Sequence, residues 1–495
     1  MDHRLWTNGQ MEIAITIAYI LSLLYIFLFS MSQLHLTWIY AWNKSIRKPA
    51  VPSSENFEPL VTIQLPIYNE KYVVGRLIEA VSKLDYPKHK LEIQILDDST
   101  DESSEIILKK IESIRPLGLN IKFIHREVRT GFKAGALENG FKLATGEFIA
   151  IFDADFIPEP DFLKKTIGYF SDPLIGVIQT RWAHINRDYS LLTQLQAFGL
   201  DAHFSIEQTA RNEAGSFINF NGTCGIWRKQ CIQDAGGWSF DTLTEDLDLS
   251  YRAQLKGWKF KYLQDVSTPG ELPIIMQAVK TQQFRWNKGG AETARKLFGR
   301  VLISNTSLIH KTHAFFHLFN SSVFVGVLIA AILSIPMLYI KSKHPEIVWV
   351  FNLGVIFLLG FFSISLFYWV STKQFYKNPL TIFFRRFPGF LVVSMGLSLH
   401  NGLAVLEGLL GIKTPFIRTP KFNTHHNGKS LRRNVYFKPR LSVITILEGA
   451  LCLYFAFGIA AGVYLHDNIL IIFHIMLTFG FGSVFYYSVK PLLHA

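Results

Sequence analysis

Phe148-Ile149-Ala150-Ile151-Phe152-Asp153-Ala154-Asp155-Phe156 is the stretch that decides the fold. Its apolar run, Phe148–Phe152, has the length of a strand rather than a helix, and it ends on two carboxylates. Comparable runs precede it: Val61–Tyr68, Leu91–Leu96 and Asn120–His125. Helical patterns lie between them over Lys71–Leu84, Glu102–Ile114 and Phe132–Ala144. Strands alternating with helices of this length predict a parallel sheet covered on both faces. Ligands of such sheets bind at the carboxyl ends of the strands, so the polar residues just after each run are the ones to follow.

Working outward, the apolar residues concentrate near residues 13–40 and again after residue 313. The whole chain is 49% hydrophobic with 42 Phe, too apolar for an ordinary soluble protein. Its 495 residues allow two or three domains. A first apolar helix over Ile13–Ile39 exceeds the ~20 residues needed to cross a bilayer. Lys44, Arg47 and Lys48 follow it, which places that end inside and makes residues 1–48 a signal anchor. Residues 49–272 read as a cytoplasmic α/β domain, with Pro49–Pro59 as its linker. Residues 273–312 carry Lys280, Arg285, Lys288, Arg295, Lys296 and Arg300 among apolar residues, the pattern of an amphipathic interfacial segment.

Further apolar segments follow at Phe315–Ile340, Ile347–Val370, Phe390–Leu410, Leu441–Leu465 and Ile469–Val489, within a membrane region of residues 313–495. The stretch Lys413–Arg440 is rich in Lys and Arg and holds no acid, and Lys373, Lys377, Arg385 and Arg386 form a second basic loop. Both flanks of Phe390–Leu410 therefore belong on the inside, so residues 388–411 are expected to lie at the interface rather than span. Five crossings then leave the N-terminus outside and the C-terminus inside. The net charge of +12 would suit nucleic acid, but the basic runs flank apolar segments, and no nucleic-acid partner is expected. Cys224, Cys231 and Cys452 form no CxxC pair, which speaks against a disulfide framework or a zinc site.

The candidate chemistry lies at strand and helix ends. Asp97-Asp98 closes the second run, and Asp153-Ala154-Asp155 closes the fourth. Acids there also serve as helix caps. An Asp-x-Asp pair offers two hard oxygen ligands that suit Mg²⁺ or Mn²⁺ on a diphosphate. Thr244-Glu245-Asp246 opens a helical segment, and Gln282-Gln283-Phe284-Arg285-Trp286 sits in the basic stretch. Taken singly, each has a structural explanation.

Their order is informative. Pro66-Ile67-Tyr68-Asn69-Glu70, Asp97-Asp98, Lys133, Asp153-Ala154-Asp155, Thr244-Glu245-Asp246 and Gln282-x-x-Arg285-Trp286 resemble the family 2 glycosyltransferases. Gly131-Phe132-Lys133-Ala134-Gly135-Ala136-Leu137 and Phe220-Asn221-Gly222-Thr223 resemble the cellulose synthase-like plant mannan and glucomannan synthases. The resemblance implies an α/β GT-A fold, with a Rossmann-like nucleotide-binding sheet, plus an α-helical transmembrane region. It implies that Tyr68, Glu70, Asp98, Lys133 and Asp153 bind the nucleotide sugar. It also implies that Asp153 and Asp155 hold the metal, that Asp246 is the general base, and that Gln282, Arg285 and Trp286 meet the acceptor and the diphosphate.

Phe416-Ile417-Arg418-Thr419-Pro420-Lys421 resembles the F-x-V-T-x-K gating loop of cellulose synthase, with Arg418 in place of Val. This makes Thr419 and Lys421 gating residues within a loop of residues 413–440. Unlike cellulose synthase, the sequence shows one helix before the α/β domain and no attached regulatory domain after the last helix. Trp182 and Trp286 are candidates for the wall of a polymer path.

The resemblance implies an inverting, processive transferase that extends a β-linked, β-1,4 polysaccharide from UDP-glucose or GDP-mannose and moves it across the membrane. Its partners are the nucleotide-diphosphate sugar, the growing polysaccharide or a glycolipid acceptor, and membrane lipid. The expected location is a bacterial inner membrane with the catalytic domain cytoplasmic. Transfer of one sugar to a lipid acceptor is the alternative. A transporter or receptor with a soluble insert has no use for the ordered acids.

Overall fold

Val61–Ile67 (β1) and Leu91–Asp97 (β2) have almost no solvent-exposed residue, so their apolar side chains face protein on both sides of the sheet. Their polar residues are matched across the pair. Gln64 Nε2 donates to Gln94 Oε1 at 3.0 Å, and Thr62 Oγ1 donates to Glu92 at 2.5 Å, in the register Gln64↔Gln94 and Thr62↔Glu92. Buried polar groups survive in a sheet interior only when satisfied in this way. Asn120–His125 (β3) and Phe148–Ile151 (β4) pair parallel to β2 and β1. The computed structural model describes residues 2–43, 57–344, 354–423, 436 and 440–494.

The sheet has seven strands in the order β3-β2-β1-β4-β6-β5-β7, where β5 is Ile175–His184, β6 is Gly225–Arg228 and β7 is Lys259–Gly270. β6 runs antiparallel to both β4 and β5, whereas β5 and β7 are parallel. The first half is thus the expected parallel sheet, and the second half is mixed. The helices at Val74–Ser82 (α2) and Ser103–Ile114 (α3) cover one face around Leu77, Ile78 and Ile107. Those at Phe132–Leu143 (α4), Lys229–Asp234 (α5) and Glu245–Leu255 (α6) cover the other around Leu137, Ile232 and Leu249.

The N-terminal helix Asp2–Asn43 (α1) is longer than the apolar run that predicts it. Four helical stretches of the described residues are long and apolar enough to cross a membrane: Gly9–Trp42, Asn320–Lys343, Val443–Tyr464 and Asn468–Leu492. Several such helices fit a membrane protein. The segment expected over Ile347–Val370 falls partly outside the described residues; its described part lies in the helix Gly354–Phe375.

Phe390–Leu410, expected as one interfacial segment, is divided. It belongs to two helices, Pro379–Gly396 and Ser398–Leu410, bent by 51°. At the bend Gly396 touches Gly480; a Cβ on Gly396 would lie 2.2 Å from the Gly480 carbonyl oxygen, so no side chain fits there.

The long helix Met276–Ile303 (α7) departs from a helix lying free on a lipid surface. Lys280 and Lys288 are buried, not solvated. Lys280 Nζ pairs with Glu448 at 2.5 Å, and Lys288 Nζ with Glu407 at 2.9 Å. Asn401 Nδ2 donates to Gln283 Oε1 at 2.8 Å, and the Lys280 carbonyl meets His400 Nε2 at 2.9 Å. Lys280 and Lys288 therefore join it to Val443–Tyr464 and Ser398–Leu410, while Lys296 pairs with Asp241 and Asp248. Arg295 and Arg300 alone remain on its exposed side.

Candidate active site

The carboxyl ends of β1 and β2 are tied together by Asn69, which follows β1 with φ 54°. Its backbone N–H donates to Ser99 Oγ at 2.9 Å, and its Oδ1 accepts from the Thr100 N–H at 2.8 Å. The left-handed conformation, tolerated by Asn better than by most residues, sets Tyr68 and Glu70 beside Asp98. Arg126 donates to Asp98 through Nε and Nη2 at 2.7 and 2.6 Å. The Arg129 guanidinium lies 3.5 Å from the centre of the Tyr68 ring.

At the end of β4 the Asp153 N–H donates to Thr223 Oγ1 at 2.9 Å, which locks Asp153-Ala154-Asp155 against the turn Asn221–Cys224. Gly222 in that turn has φ +77°, and a Cβ there would stand 3.1 Å from Asp246 Oδ2 and 3.3 Å from Lys133 Nζ. Glycine thus permits both the turn and the approach of these groups. Lys133 Nζ sits 2.6 Å from Asp153 Oδ1 and 3.9 Å from Glu245 Oε1, and donates to the Gly222 carbonyl at 2.9 Å. Burial would lower the Lys133 pKa, but Asp153 and Glu245 outweigh it and hold the ammonium above its usual value. Asp246, at the start of α6, is pushed up to about 7 by burial and by the neighbouring charge of Glu245, with Lys133 opposing.

The described part of the expected gating loop lies over the cleft. Arg418 donates to Glu70 through Nε at 2.8 Å and Nη2 at 2.6 Å. Lys421 Nζ bonds to Asp155 Oδ2 at 2.6 Å, and Arg285 Nη2 donates to Thr419 Oγ1 at 3.2 Å. Phe416 stacks on Phe132 at 5.6 Å, with the Arg285 guanidinium 4.6 Å from its ring centre. The backbone N–H of Phe422 donates to Glu271 at 3.1 Å. Residues 424–435 and 437–439 of that loop lie outside the described residues.

One cavity of about 180 Å³ collects these groups. Tyr68, Glu70, Asp98, Lys133, Asp153, Asp155, Asp246, Gln282, Arg285, Trp286, Thr419 and Lys421 all line it, whereas Asp97 lies outside the lining and is bonded to Ser104 and His125. Lys133 stands at the Asp153 and Glu245 side. The cavity also brings in Arg129, His184, Asn221 and Glu271, which carried no individual assignment. Asn221 lies inside the quoted Phe220-Asn221-Gly222-Thr223 and Arg129 two residues before Gly131, and those motifs were the available signal. His184 closes β5 two residues beyond Trp182, and Glu271 follows β7, whose end carried no assignment.

Asp153 and Asp155 fit a hard divalent cation as a partial donor set. Each already holds an ammonium nitrogen at 2.6 Å. No group of three or more His, Cys, Asp or Glu able to hold a metal occurs among the described residues. A cation bound there would need further ligands from outside the chain, such as phosphate oxygens or water.

Residues 59–289 match the family described as glycosyltransferase like family 2. The chain is 41% identical over 295 residues to probable glucomannan 4-beta-mannosyltransferase 7 of Oryza sativa subsp. japonica, covering 58% of this chain and 50% of that protein. It is 40% identical over 267 residues to glucomannan 4-beta-mannosyltransferase 7 of Arabidopsis thaliana, covering 53% and 48%. The chain thus spans about half the length of these curated relatives. Among solved structures, a mannosyltransferase from Pyrobaculum calidifontis, in complex with GDP-Man and Mn²⁺, matches with a TM-score of 0.54 at 18% identity, over 82% of this chain and 99% of that one. That likeness carries the GT-A fold.

Proposed function

We propose, from the premise that the chain belongs to the family 2 glycosyltransferases of the cellulose synthase-like mannan synthase type, that it is a processive hexosyltransferase. It extends a β-1,4-linked polysaccharide from a nucleotide-diphosphate sugar, with GDP-mannose as donor. The observation that carries this reading is the position of Asp246. It is a half-buried carboxylate with its pKa pushed up to about 7, across Gly222 from the Lys133–Asp153 pair.

A sugar hydroxyl is a weak nucleophile and needs a positioned base whose pKa lies near the working pH. Asp246 takes the acceptor proton. Lys133 and Arg285 stabilise the charge that develops on the leaving diphosphate. Asp153 and Asp155 would hold Mg²⁺ or Mn²⁺, which would supply further charge neutralisation there. Trp286 presents an apolar face to the acceptor. Thr419 and Lys421 act with the strap that covers the donor.

Two points support GDP-mannose over UDP-glucose. The relatives are named mannosyltransferases. Asp98 is also set to accept two parallel N–H bonds, as it does from Arg126. Guanine offers two adjacent donors on its pairing edge and uracil one, so guanine replaces the guanidinium without loss of a bond.

Translocation through the protein's own helices is supported by α7, which carries Gln282, Arg285 and Trp286 and is bonded directly to Val443–Tyr464 through Lys280–Glu448. The basic loops support a topology with the catalytic domain on the cytosolic side of the membrane and five crossings. The relatives are plant proteins and lend no support to a bacterial inner membrane.

The test is incubation of the full-length protein in membranes with labelled GDP-mannose, GDP-glucose, UDP-glucose and UDP-N-acetylglucosamine, followed by sizing of the product. A β-1,4 mannan from GDP-mannose is expected. A single-sugar glycolipid would establish lipid transfer instead, and no transfer from any donor would overturn the enzyme reading.

A further inference from the structure

Buried polar atoms without a hydrogen-bond partner include Trp182 Nε1, His184 Nε2, Asn221 Nδ2 and Arg285 Nε. Their side chains line the same cavity. Such atoms are exceptions in a folded protein, and several around one cavity mark where a polar ligand completes the bonding.

Each of these groups is held in place from behind. Trp182 and His184 are two residues apart on β5 and so face the same side of the strand. The end of that strand is clamped by Asn186, whose Nδ2 donates to the Leu272 carbonyl at 2.9 Å and whose Oδ1 accepts from the Leu272 N–H at 2.8 Å. The Trp182 ring is wedged between Phe156 and Phe204, each 5.0 Å away by ring centre, with Trp286 at 6.3 Å.

Asn221 Oδ1 accepts from Gln208 Nε2 at 3.1 Å and from Asn219 Nδ2 at 2.7 Å. Both bonds are on its oxygen, so its Nδ2 is left for a ligand. Asn219 is in turn fixed by His317 Nε2 at 3.2 Å, and the other nitrogen of that ring meets Tyr251 OH at 2.8 Å.

Indole, amide and guanidinium nitrogens only donate. His184 differs. Burial lowers its pKa to about 4, so the ring is neutral at physiological pH and one nitrogen can accept. A neutral imidazole has no net attraction for a diphosphate and suits a hydroxyl.

We propose that Trp182, His184 and Asn221 form a binding subsite for the acceptor sugar, in which His184 Nε2 hydrogen-bonds a ring hydroxyl and helps set which hydroxyl reaches Asp246. The proposal deepens the transferase reading and rests on it for the identity of the ligand as a β-linked sugar.

Calorimetric titration of the full-length protein in detergent with β-1,4-mannotetraose and with cellotetraose, in the absence of donor, tests it apart from catalysis. His184→Phe keeps the ring volume and removes the polar atoms. It should weaken tetrasaccharide binding about tenfold and raise the acceptor KM by the same factor. The donor KM should rise less than the acceptor KM, which separates a loss of acceptor binding from a general disturbance of the cleft. His184→Gln, which returns a polar group near the Nε2 position, should restore most of the affinity.

Equal binding by wild type and His184→Phe overturns the subsite, as does failure of the wild type to bind either tetrasaccharide. Equal loss of donor hydrolysis in both variants reveals a structural role and also overturns it. His184-dependent binding without sugar transfer keeps the subsite and removes the transferase reading; transfer that ignores His184 does the reverse.

Discussion

The two ends of the cleft solve the problem of an empty site differently. At the donor end the acids are matched with cations: Glu70 with Arg418, Asp98 with Arg126, Asp153 with Lys133, Asp155 with Lys421, and Glu271 with Arg76. At the acceptor end Trp182, His184 and Asn221 keep polar atoms with no partner. The difference follows from the cost of each. A buried charge that loses its partner costs about 3–5 kcal/mol, whereas an unmade neutral hydrogen bond costs about 1–3 kcal/mol. Neutral donors can wait for a ligand, and carboxylates cannot. In the proposed reaction, donor loading at Asp153 and Asp155 is therefore an exchange of an ammonium for a metal cation, and acceptor loading is the filling of unused bonds.

Asp246 stands where the two ends meet, and its removal gives the largest effect. Asp246→Asn should lower turnover by ~10²–10⁴ while nucleotide-sugar affinity is kept. If Glu245→Gln proves the more damaging change in the same assay, the base has been misassigned.

Asp155→Ala attacks the donor end alone. Turnover should fall by about 10²–10³, as when a group that stabilises developing charge is lost. Chelation by EDTA should produce a comparable fall that Mn²⁺ reverses; full activity in chelator would break the comparison at its metal step.

The pH profile of kcat comes next. Asp246 must be deprotonated to act, and its carboxyl has a pKa of about 7. The active carboxylate is thus fully present above that value and decreases as pH falls through it, by about tenfold per unit. A flat profile from pH 5 to 8 would mean that another group, or none, limits the reaction.

The smallest effect is the sharpest test of cation exchange. Lys421 occupies the Asp155 oxygen that a metal would take. Lys421→Ala should therefore lower the half-saturating Mn²⁺ concentration, because the metal then meets an Asp155 carboxylate with no ammonium to displace, even as turnover slows. An increase in that concentration would show that Lys421 assists the metal rather than competes with it.

Much of the donor end could be read from the sequence because its signals are local. Strands β1, β2 and β4 are buried runs, and their acids follow at once. The mixed half of the sheet was harder. Gly225–Arg228 is a four-residue antiparallel strand, too short to show a period, yet it joins the parallel half to β5. The ion pairs of Lys280 and Lys288 in α7 were hidden for a related reason. Sequence shows a charge but not its partner, and Glu448 and Glu407 lie 168 and 119 residues away. His184 escaped notice because an unpartnered nitrogen is a property of its surroundings.

Those distant partners make α7 a lever. Lys280 is held by Glu448 on Val443–Tyr464. Arg285 stands about 7.5 Å further along the helix axis, at a rise of 1.5 Å per residue. A rigid helix that short transmits tilt with little loss, so a change in the angle of Val443–Tyr464 moves the guanidinium that faces the leaving group. Bilayer thickness sets such angles through hydrophobic mismatch. Turnover of this protein should then depend on lipid chain length while donor affinity does not, making the membrane a mechanical setting of the catalytic step rather than a passive support.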